Sequence, residues 1–375
     1  MKILSGDVRE TLKQVPDGTV QCCVTSPPYW GLRSYLKDGH VDKHMEIGSE
    51  KTPEAYVQTM VEVFREVKRC LHESGTCWIN LGDGYSSGGR KSYDPSLISE
   101  TSGLQNNSAG LERKTPDWAK PKDLLMIPWR VALALQADGW WLRSVICWHK
   151  KSCMPESVTD RPTNSWEPIF LMAKNAKYFY DAEAVRENTD AEPQTVARKD
   201  AFAKQGQVGS HLTGAEFISY TGRNQRNVWT LGPEPYSEAH FATFPTEIPR
   251  RAILAGTSAS GCCQKCRTPW VRKTEKAKAD VTNPRPFSKP GNEKDRNDVG
   301  RIYEETTTRT IGWEPGCKCG VDRIPCTVLD PFGGSGTVGQ VAKELGRDFI
   351  LCELNKEYVS LIEKRVNVTS GFPFL

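Results

Sequence analysis

The sequence VLDPFGGSGTVG, at residues 328–339, is the glycine-rich stretch that decides the fold. It begins in a short apolar run that predicts a buried strand, and residues 337–345 have the pattern of a helix. A glycine-rich loop between a strand and a helix lets the backbone approach a ligand, to which the helix offers free N–H groups. A further apolar run at 349–352 ends at Glu353. Residues 327–353 therefore predict a βαβ unit that binds a nucleotide-like ligand.

The position of Glu353 strengthens this prediction. It lies 20 residues after Gly333, where a carboxylate meets the ribose hydroxyls in dinucleotide-binding folds. The spacing of Gly334, Gly336 and Gly339 also matches the fingerprint of nicotinamide sites. However, the preceding Asp-Pro-Phe is unusual for such sites, and the sequence has no Tyr-x-x-x-Lys as a hydride-transfer partner. A nicotinamide-dependent oxidoreductase is a rival hypothesis, and a strand-to-helix turn without ligand is the structural alternative.

The rest of the chain alternates predicted strands and helices. Thr52 and Pro53 form a typical helix start, with Thr as the N-cap and Pro at the first helical position. Apolar runs predict strands at 21–24, 75–83, 140–148, 166–173 and 178–180. Helical spacing is found at 8–15, 52–71 and 123–137. This alternation predicts an α/β fold with a largely parallel sheet.

The sequence TSPPYW, at residues 25–30, follows one of these strands. Pro27 and Pro28 cannot continue the strand, because each lacks an N–H and has a fixed φ. The chain must therefore leave the sheet as a stiff, extended loop. The hydroxyl of Ser26 and the free carbonyls of the loop can accept hydrogen bonds from an amine, while Tyr29 can stack on a ring. The loop suits a flat heterocycle that carries an amine; a Pro-Pro turn with core aromatics is the alternative.

The two loops together resemble those of the amino-group DNA methyltransferases. DPFGGSGT, at residues 330–337, resembles the S-adenosylmethionine loop of this family, and TSPPYW resembles its target-amine loop. The proline loop comes first and the cofactor loop last, which resembles the circularly permuted β group of N4-cytosine and N6-adenine enzymes. The resemblance implies a Rossmann-like, S-adenosylmethionine-dependent, circularly permuted α/β fold. Its sheet is expected to be mixed and mostly parallel, with a small cysteine-bearing insert.

The resemblance also implies roles for individual residues. Ser26 and the carbonyl of Pro27 would accept hydrogen bonds from the target amine. Pro28 would shape the loop, and Tyr29 would stack on a base flipped out of the duplex. The implied cofactor residues are Asp330, Phe332, Gly334, Gly336 and Thr337 at the methionine end, Glu353 at the ribose, Asp7 at the adenine side, and Phe244 before a flanking helix. A plain strand-end turn is the alternative for Asp7, and a packed aromatic corner is the alternative for Phe244.

The implied reaction is methylation of an exocyclic amine of a flipped base. Acceptors aimed at the amine hydrogens orient it and favour its attack on the methyl group without a covalent intermediate. Ser26 stands where adenine-modifying members usually carry Asp, so the resemblance favours cytosine N4, with adenine N6 as the alternative. Methylation at cytosine carbon 5 would need a thiolate nucleophile. Cys326 precedes the cofactor strand, so we predict a structural role for it.

The chain has 13 cysteines, and four of them form two close pairs. The pairs Cys263–Cys266 and Cys317–Cys319 offer four thiolates, which suit a tetrahedral structural zinc ion. Cys262 could replace a neighbour in this set, and reduced cysteines in a loop are the alternative interpretation. A third class of function follows from this insert, namely a non-catalytic zinc-containing DNA-binding protein on a degenerate methyltransferase fold.

We predict four parts of the chain. Residues 1–181 form the catalytic part, 182–239 a target-recognition segment, 240–260 with 321–375 the cofactor-binding part, and 261–320 the zinc-binding insert. The formal net charge of +4 is compatible with nucleic acid. We expect duplex DNA as the substrate, a cognate restriction enzyme and a homodimer as partners, and a cytoplasmic location. No 18-residue apolar run predicts a membrane span.

Overall fold

The structure is a computed structural model that describes residues 1–32, 34–36, 39–86, 116, 118–153, 155–187, 223–232, 234, 244–278 and 306–368. The contact pattern divides the chain into two units. The first contains Met1–Asp181, Arg226–Trp270 and Pro315–Leu375, and the second contains Ala182–Gln225 and Val271–Glu314. The four predicted parts stay a prediction, since much of 182–239 and of 261–320 lies outside the described residues.

The first unit is built on one large sheet. In the described part of the chain the strands are β1 (Lys2–Ser5), β2 (Val20–Thr25), β3 (Leu71–Asn80), β4 (Trp141–Lys150), β5 (Trp166–Ala173), β6 (Val228–Leu231), β7 (Cys262–Cys263), β8 (Val271–Lys278), β9 (Thr306–Glu314), β10 (Arg323–Ile324), β11 (Thr327–Asp330) and β12 (Asp348–Glu353). The large sheet has the order β1-β12-β11-β2-β3-β5-β4-β6. Strand β5 runs antiparallel to β3 and β4, while the other pairings are parallel. The predicted mixed, mostly parallel sheet is confirmed.

Helices cover both faces of this sheet. The helices described are α1 (Val8–Thr11), α2 (Pro53–Cys70), α3 (Ile127–Ala137), α4 (Glu247–Gly256), α5 (Thr337–Glu344) and α6 (Lys356–Val368). Cys23 of β2 lies in the hydrophobic core with α2 and α3. Its neighbour Cys22 lies 3.7 Å from the Ala252 carbonyl of α4. Because successive side chains of a strand point to opposite faces, α2 and α4 cover opposite sides of the sheet.

The C-terminal βαβ unit lies inside the sheet rather than at its edge. Strand β12 pairs with β1, and β11 pairs with β2, so the last two strands of the chain separate the first two. The carboxyl ends of β2 and β11 therefore lie side by side. This arrangement brings the proline loop, near the start of the chain, next to the glycine loop, near its end.

Local chemistry sets the helix bounds. Helix α2 begins as predicted: the Thr52 hydroxyl accepts a hydrogen bond from Ala55 N (3.2 Å) and Pro53 follows it, a cap that stabilises a helix by about 1 kcal/mol. Helix α3 begins at Ile127 rather than at residue 123, because Met126 has a left-handed backbone and Asp83 accepts from Ile127 N (3.0 Å).

Two further predictions of local structure are corrected. Helix α1 ends at Thr11 and continues as a 3₁₀ turn over Leu12–Gln14, so the predicted helix over 8–15 is only partly α-helical. The run at 178–180 is not a strand but an irregular segment, in which Phe179 N donates to Ser74 O (2.9 Å).

The second unit contains an antiparallel pair formed by β8 and β9. A bridge between Glu187 and Arg223 also belongs to this unit. Among the helices described, none is long and apolar enough to span a membrane.

Candidate active site

The carboxyl ends of the central strands open onto a cavity of about 400 Å³. Ligands bind at this edge of open α/β sheets, because the loops that follow the strands converge there. Most of the predicted site residues line the cavity, namely Asp7, Ser26, Pro27, Pro28, Tyr29, Phe244, Asp330, Phe332, Gly334, Thr337 and Glu353. The structure thus brings the proline loop, the glycine loop and the β12 carboxylate to one place.

Two carboxyl groups lie on the glycine-loop side of the cavity, with Asp330 buried and Glu353 partly buried. Glu353 accepts hydrogen bonds from Gly334 N and Asn355 N, both at 2.8 Å. Asp330 accepts from the Thr25 hydroxyl (2.7 Å) and from Phe332 N (3.0 Å). Burial raises the pKa of each carboxyl group to about 7, against the opposing effect of these hydrogen bonds. Both groups can therefore change charge near neutral pH, as expected of a ligand site.

Gly336 has a different position from its neighbours in the glycine loop. It does not line the cavity; it precedes helix α5 with a φ of 82°, and a Cβ there would lie 3.2 Å from the Ile362 Cα. The glycine is thus required by backbone conformation and by the close approach of α6. Thr337 begins the helix and lines the cavity, and its hydroxyl accepts from the Arg365 guanidinium (3.0 Å).

Asp7 is both a cavity residue and a helix cap. Its carboxylate accepts from the Arg9 backbone N–H (2.8 Å) and pairs with the Arg9 side chain. Burial alone would raise its pKa, but the hydrogen bonds and charge of Arg9 hold the pKa below its ordinary value. Asp7 therefore belongs to a turn at the end of a strand and also lines the cavity, so the two interpretations of this residue are compatible.

The proline loop ends in a polar cluster at the other side of the cavity. The Tyr29 hydroxyl lies 3.0 Å from Asn80 Oδ1 and donates to Glu167 Oε2 at 2.9 Å. The Ser26 hydroxyl lies 3.4 Å from the Tyr29 hydroxyl and 3.4 Å from Asn80 Oδ1. Burial, together with the charge of Glu167, raises the pKa of Tyr29 well above its ordinary value. Tyr29 thus stays neutral and keeps its proton for hydrogen bonding.

The loop backbone is held by neighbouring residues. The Tyr56 hydroxyl of α2 donates to the Pro28 carbonyl (2.8 Å), which fixes the loop to the helix beneath it. The ring of Tyr29 lies against Gly82, where a Cβ would overlap the ring. Gly82 is therefore required by the close approach of the aromatic ring.

Sequence reasoning missed three residues of this cluster. Asn80 ends β3, Glu167 is near the start of β5, and Lys150 ends β4 with its ammonium 2.5 Å from Glu167 Oε1. All three line the cavity. A polar residue at the end of an apolar strand was a signal for Asn80. Glu167 and Lys150 had no such signal, since their proximity depends on the antiparallel pairing of β4 and β5.

The four predicted zinc ligands come together away from this cavity. The sulfur atoms of Cys263, Cys266, Cys317 and Cys319 all lie within 4.8 Å of one another. Four thiolates with Zn–S distances of about 2.3 Å would be separated by a little under 4 Å, so the cluster is compatible with zinc. Cys262 is not part of this cluster and is buried; Cys326 is also fully buried, with its sulfur 3.7 Å from the Ser258 carbonyl.

Strand β6 lies within the range 182–239 that is predicted for target recognition. Strand β6 joins the edge of the large sheet, and Trp229 is 2% exposed. Its ring stacks on Trp78 with 6.1 Å between ring centroids. The buried position of Trp229 indicates a packing role in the sheet. Tyr220 and Tyr236, two other aromatic residues of 182–239, lie outside the described residues.

Comparison with known proteins agrees with this geometry. Residues 20–263 and 326–364 match the N6/N4 methyltransferase family model, described as DNA methylase. The chain is 36% identical over 364 residues to the Type II methyltransferase M.Cfr9I of Citrobacter freundii, covering 97% of this chain and 87% of that protein. It is 35% identical over 365 residues to the Type II methyltransferase M.SmaI of Serratia marcescens, covering 97% and 90%.

A solved structure shares the fold. The PvuII DNA methyltransferase, described as cytosine-N4-specific, superposes with a TM-score of 0.51 at 15% identity, over 97% of this chain and 85% of that one. This likeness concerns the fold, and the family match over most of the chain, with the relatives at 35–36% identity, decides the assignment. The chain belongs to the N6/N4 DNA methylase family, and it is a DNA methyltransferase.

Proposed function

We propose that this protein transfers a methyl group from S-adenosylmethionine to the N4 amine of a flipped cytosine within a specific site in duplex DNA. The observation that carries the proposal is the cavity itself. Ser26, which directly follows β2, faces the same space as the carboxyl groups of Asp330 and Glu353. A hydroxyl acceptor for an amine and an acidic site for a cationic ligand thus share one pocket.

The cofactor side of the cavity fits S-adenosylmethionine. This ligand supplies an electrophilic methyl group on a positively charged sulfur. The carboxyl of Glu353 is suited to the ribose hydroxyls, and Asp330 with the glycine-loop backbone is suited to the methionine end. Asp7, which is assigned to the adenine side, and Phe244, which precedes helix α4, line the remaining wall. The volume of about 400 Å³ is in the range of small-molecule sites.

The target side fits an exocyclic amine. The Ser26 hydroxyl and the Pro27 carbonyl would accept its hydrogens, which directs the nitrogen lone pair toward the methyl group. Flipping a base out of the duplex costs on the order of a few kcal/mol, and stacking on Tyr29 would offset part of this cost. Catalysis in this arrangement is orientation and electrostatic stabilisation by residues already in place.

Ser26 is also the reason for preferring cytosine. In the family that the loop resembles, Ser-Pro-Pro-Tyr is associated with cytosine, whereas Asp at the first position is associated with adenine. Adenine N6 is the alternative target. The family assignment gives no support to the nicotinamide-dependent oxidoreductase, and the intact proline and glycine loops speak against a non-catalytic DNA-binding protein.

Mass spectrometry of nucleosides tests this proposal. DNA would be taken from cells that express the wild type, the Ser26→Ala, Tyr29→Ala double variant, or the control variant Ser360→Ala, whose side chain is exposed on α6. We expect N4-methylcytosine with the wild type and the control but not with the double variant. N6-methyladenine would overturn the assigned target base and keep the class. No modified base, with S-adenosylmethionine binding intact, would overturn DNA methylation.

We further propose that the cysteine cluster holds one structural zinc ion. The four sulfur ligands leave no open position for catalysis. Metal analysis of the purified protein should find about one zinc ion per chain, and a metal-free, fully active protein would favour reduced cysteines instead. The finer expectations from the sequence also stay proposals, namely a cognate restriction enzyme, a homodimer and a cytoplasmic location.

A further inference from the structure

Glu167 joins three strands at the target-amine side of the cavity. Its Oε2 accepts hydrogen bonds from the Tyr29 hydroxyl (2.9 Å) and from Asn80 Nδ2 (3.2 Å). Its Oε1 lies 2.5 Å from the Lys150 ammonium. The side chain is 14% exposed. A carboxylate in such an enclosed position, with three donors on its two oxygens, forms strong charge-assisted hydrogen bonds.

The backbone around Glu167 is held by hydrogen-bonded strands on both sides. Strand β5 is paired on both sides, with Glu167 opposite Trp148 of β4 and Ile169 opposite Asn80 of β3. The Asn80 amide also donates to the Pro168 carbonyl (3.2 Å). Groups held on paired strands keep their positions better than groups on loops, and the proline loop is fixed to this sheet through Tyr29.

We propose that Glu167 is a positioning residue for methyl transfer: it holds the Tyr29 ring and the Asn80 amide beside Ser26 in the geometry that the target amine needs. The inference rests on the proposed function, but not on the choice of base, since cytosine and adenine would both present an exocyclic amine to Ser26. Lys150 is the counter-ion of the Glu167 carboxylate.

The chemistry of the carboxylate explains why an amide cannot replace it. Glutamine has nearly the same shape but only one acceptor oxygen. If that oxygen faces Lys150, the NH₂ group meets the donating amide of Asn80. If the oxygen faces Asn80 and Tyr29, the NH₂ group meets the Lys150 ammonium. Either orientation places donor against donor, so the cluster must rearrange.

Kinetics of single and double variants test the inference. We expect Glu167→Gln to lower kcat roughly 10- to 100-fold, the size of effect that misplacement of reacting groups produces, with the dissociation constant of S-adenosylmethionine within about twofold of the wild type. Tyr29→Phe removes only the hydroxyl that Glu167 holds and should also lower kcat. The double variant should lose clearly less than the product of the two single losses, because both changes break one interaction.

The outcomes separate this inference from the proposed function. The control variant Glu357→Gln makes the same chemical change on an exposed side chain and should keep the wild-type rate. A wild-type kcat for Glu167→Gln, or losses that multiply in the double variant, would overturn the positioning role. If Glu167→Gln does not fold, an unchanged kcat for Tyr29→Phe overturns it equally. Failure of the proposed function would appear instead as absence of methylation by the wild type.

Discussion

Glu353 and Asp330 show how burial prepares single residues for a ligand. Each carboxyl has lost most of its hydration, and burial raises its pKa to about 7. A carboxyl whose folded pKa lies above its unfolded value binds more protons in the folded state. Its contribution to stability is therefore present below the unfolded pKa of about 4 and is lost as pH rises toward 7. At neutral pH the ionised carboxylates of the free site therefore destabilise the fold. A cationic ligand that donates hydrogen bonds would offset this destabilisation.

The raised pKa values of Asp330 and Glu353 predict a pH dependence of cofactor binding. The bound cofactor favours the ionised carboxylates, so their pKa values should fall on binding and protons should be released. Affinity for S-adenosylmethionine should rise between pH 5.5 and 7.5, about tenfold per pH unit for each proton released, and level off above that range. Calorimetry in buffers of different ionisation enthalpy measures both the affinity and the protons released.

The matched control for this prediction is Glu353→Gln. This variant has no carboxyl to titrate, so its affinity should be lower at pH 8 and should depend less on pH. An affinity of the wild type that does not change between pH 5.5 and 7.5 would contradict the assignment of Glu353 to the cofactor.

At the scale of elements, the turn from β11 into α5 leaves little room for a side chain. Gly336 combines a left-handed φ of 82° with the close approach of Ile362 in α6. Non-glycine residues in this conformation cost of order 1–3 kcal/mol. The side chain would also push α6 away from α5, and Thr337, the first residue of α5, lines the cavity.

Gly336→Ala is therefore expected to destabilise the fold by about 2 kcal/mol or more and to weaken binding of S-adenosylmethionine. Gly346→Ala is the matched control: Gly346 has a φ of 69°, but a Cβ there would meet nothing within 4 Å. The control should show the conformational cost of about 1 kcal/mol without the loss of binding. Thermal unfolding and calorimetry measure the two effects. Equal losses in both variants would show that the contact with α6 is unimportant.

Elements whose signals are local could be predicted from the sequence. Helix α2 has its cap, its proline and its apolar face within 18 residues, and the β11–α5–β12 unit has its loop and carboxylate within a similar distance. The start of α3 could not be predicted, because it depends on Asp83 from another segment. Glu167 and Lys150 were missed for the same reason, since the pairing of β5 with its neighbours brings together residues that are far apart in sequence.

At the scale of the whole first unit, the cysteine cluster and the cavity lie at opposite ends of the strands. Gln21, near the start of β2, donates from its side chain to the Arg267 carbonyl (3.0 Å). His72, near the start of β3, lies 3.3 Å from the Thr268 hydroxyl. Residues 267 and 268 directly follow the cluster residue Cys266, whereas the cavity opens at the carboxyl ends of the same strands. A zinc ion in the cluster should therefore stabilise the fold of the first unit without taking part in methyl transfer.

Removal of the metal tests whether the cysteine cluster is structural and separate from the catalytic cavity. Chelation of zinc should lower the thermal midpoint by at least about 5 °C, because a bound metal stabilises the folded state that holds its ligands together. The methylation rate at 25 °C should stay within about twofold while the protein is folded, because no cysteine of the cluster lines the cavity. Cys317→Ser should reproduce the loss of stability, whereas Cys147→Ser, outside the cluster, should not. A selective loss of kcat without any change in thermal midpoint would place the metal in the reaction and contradict its structural role.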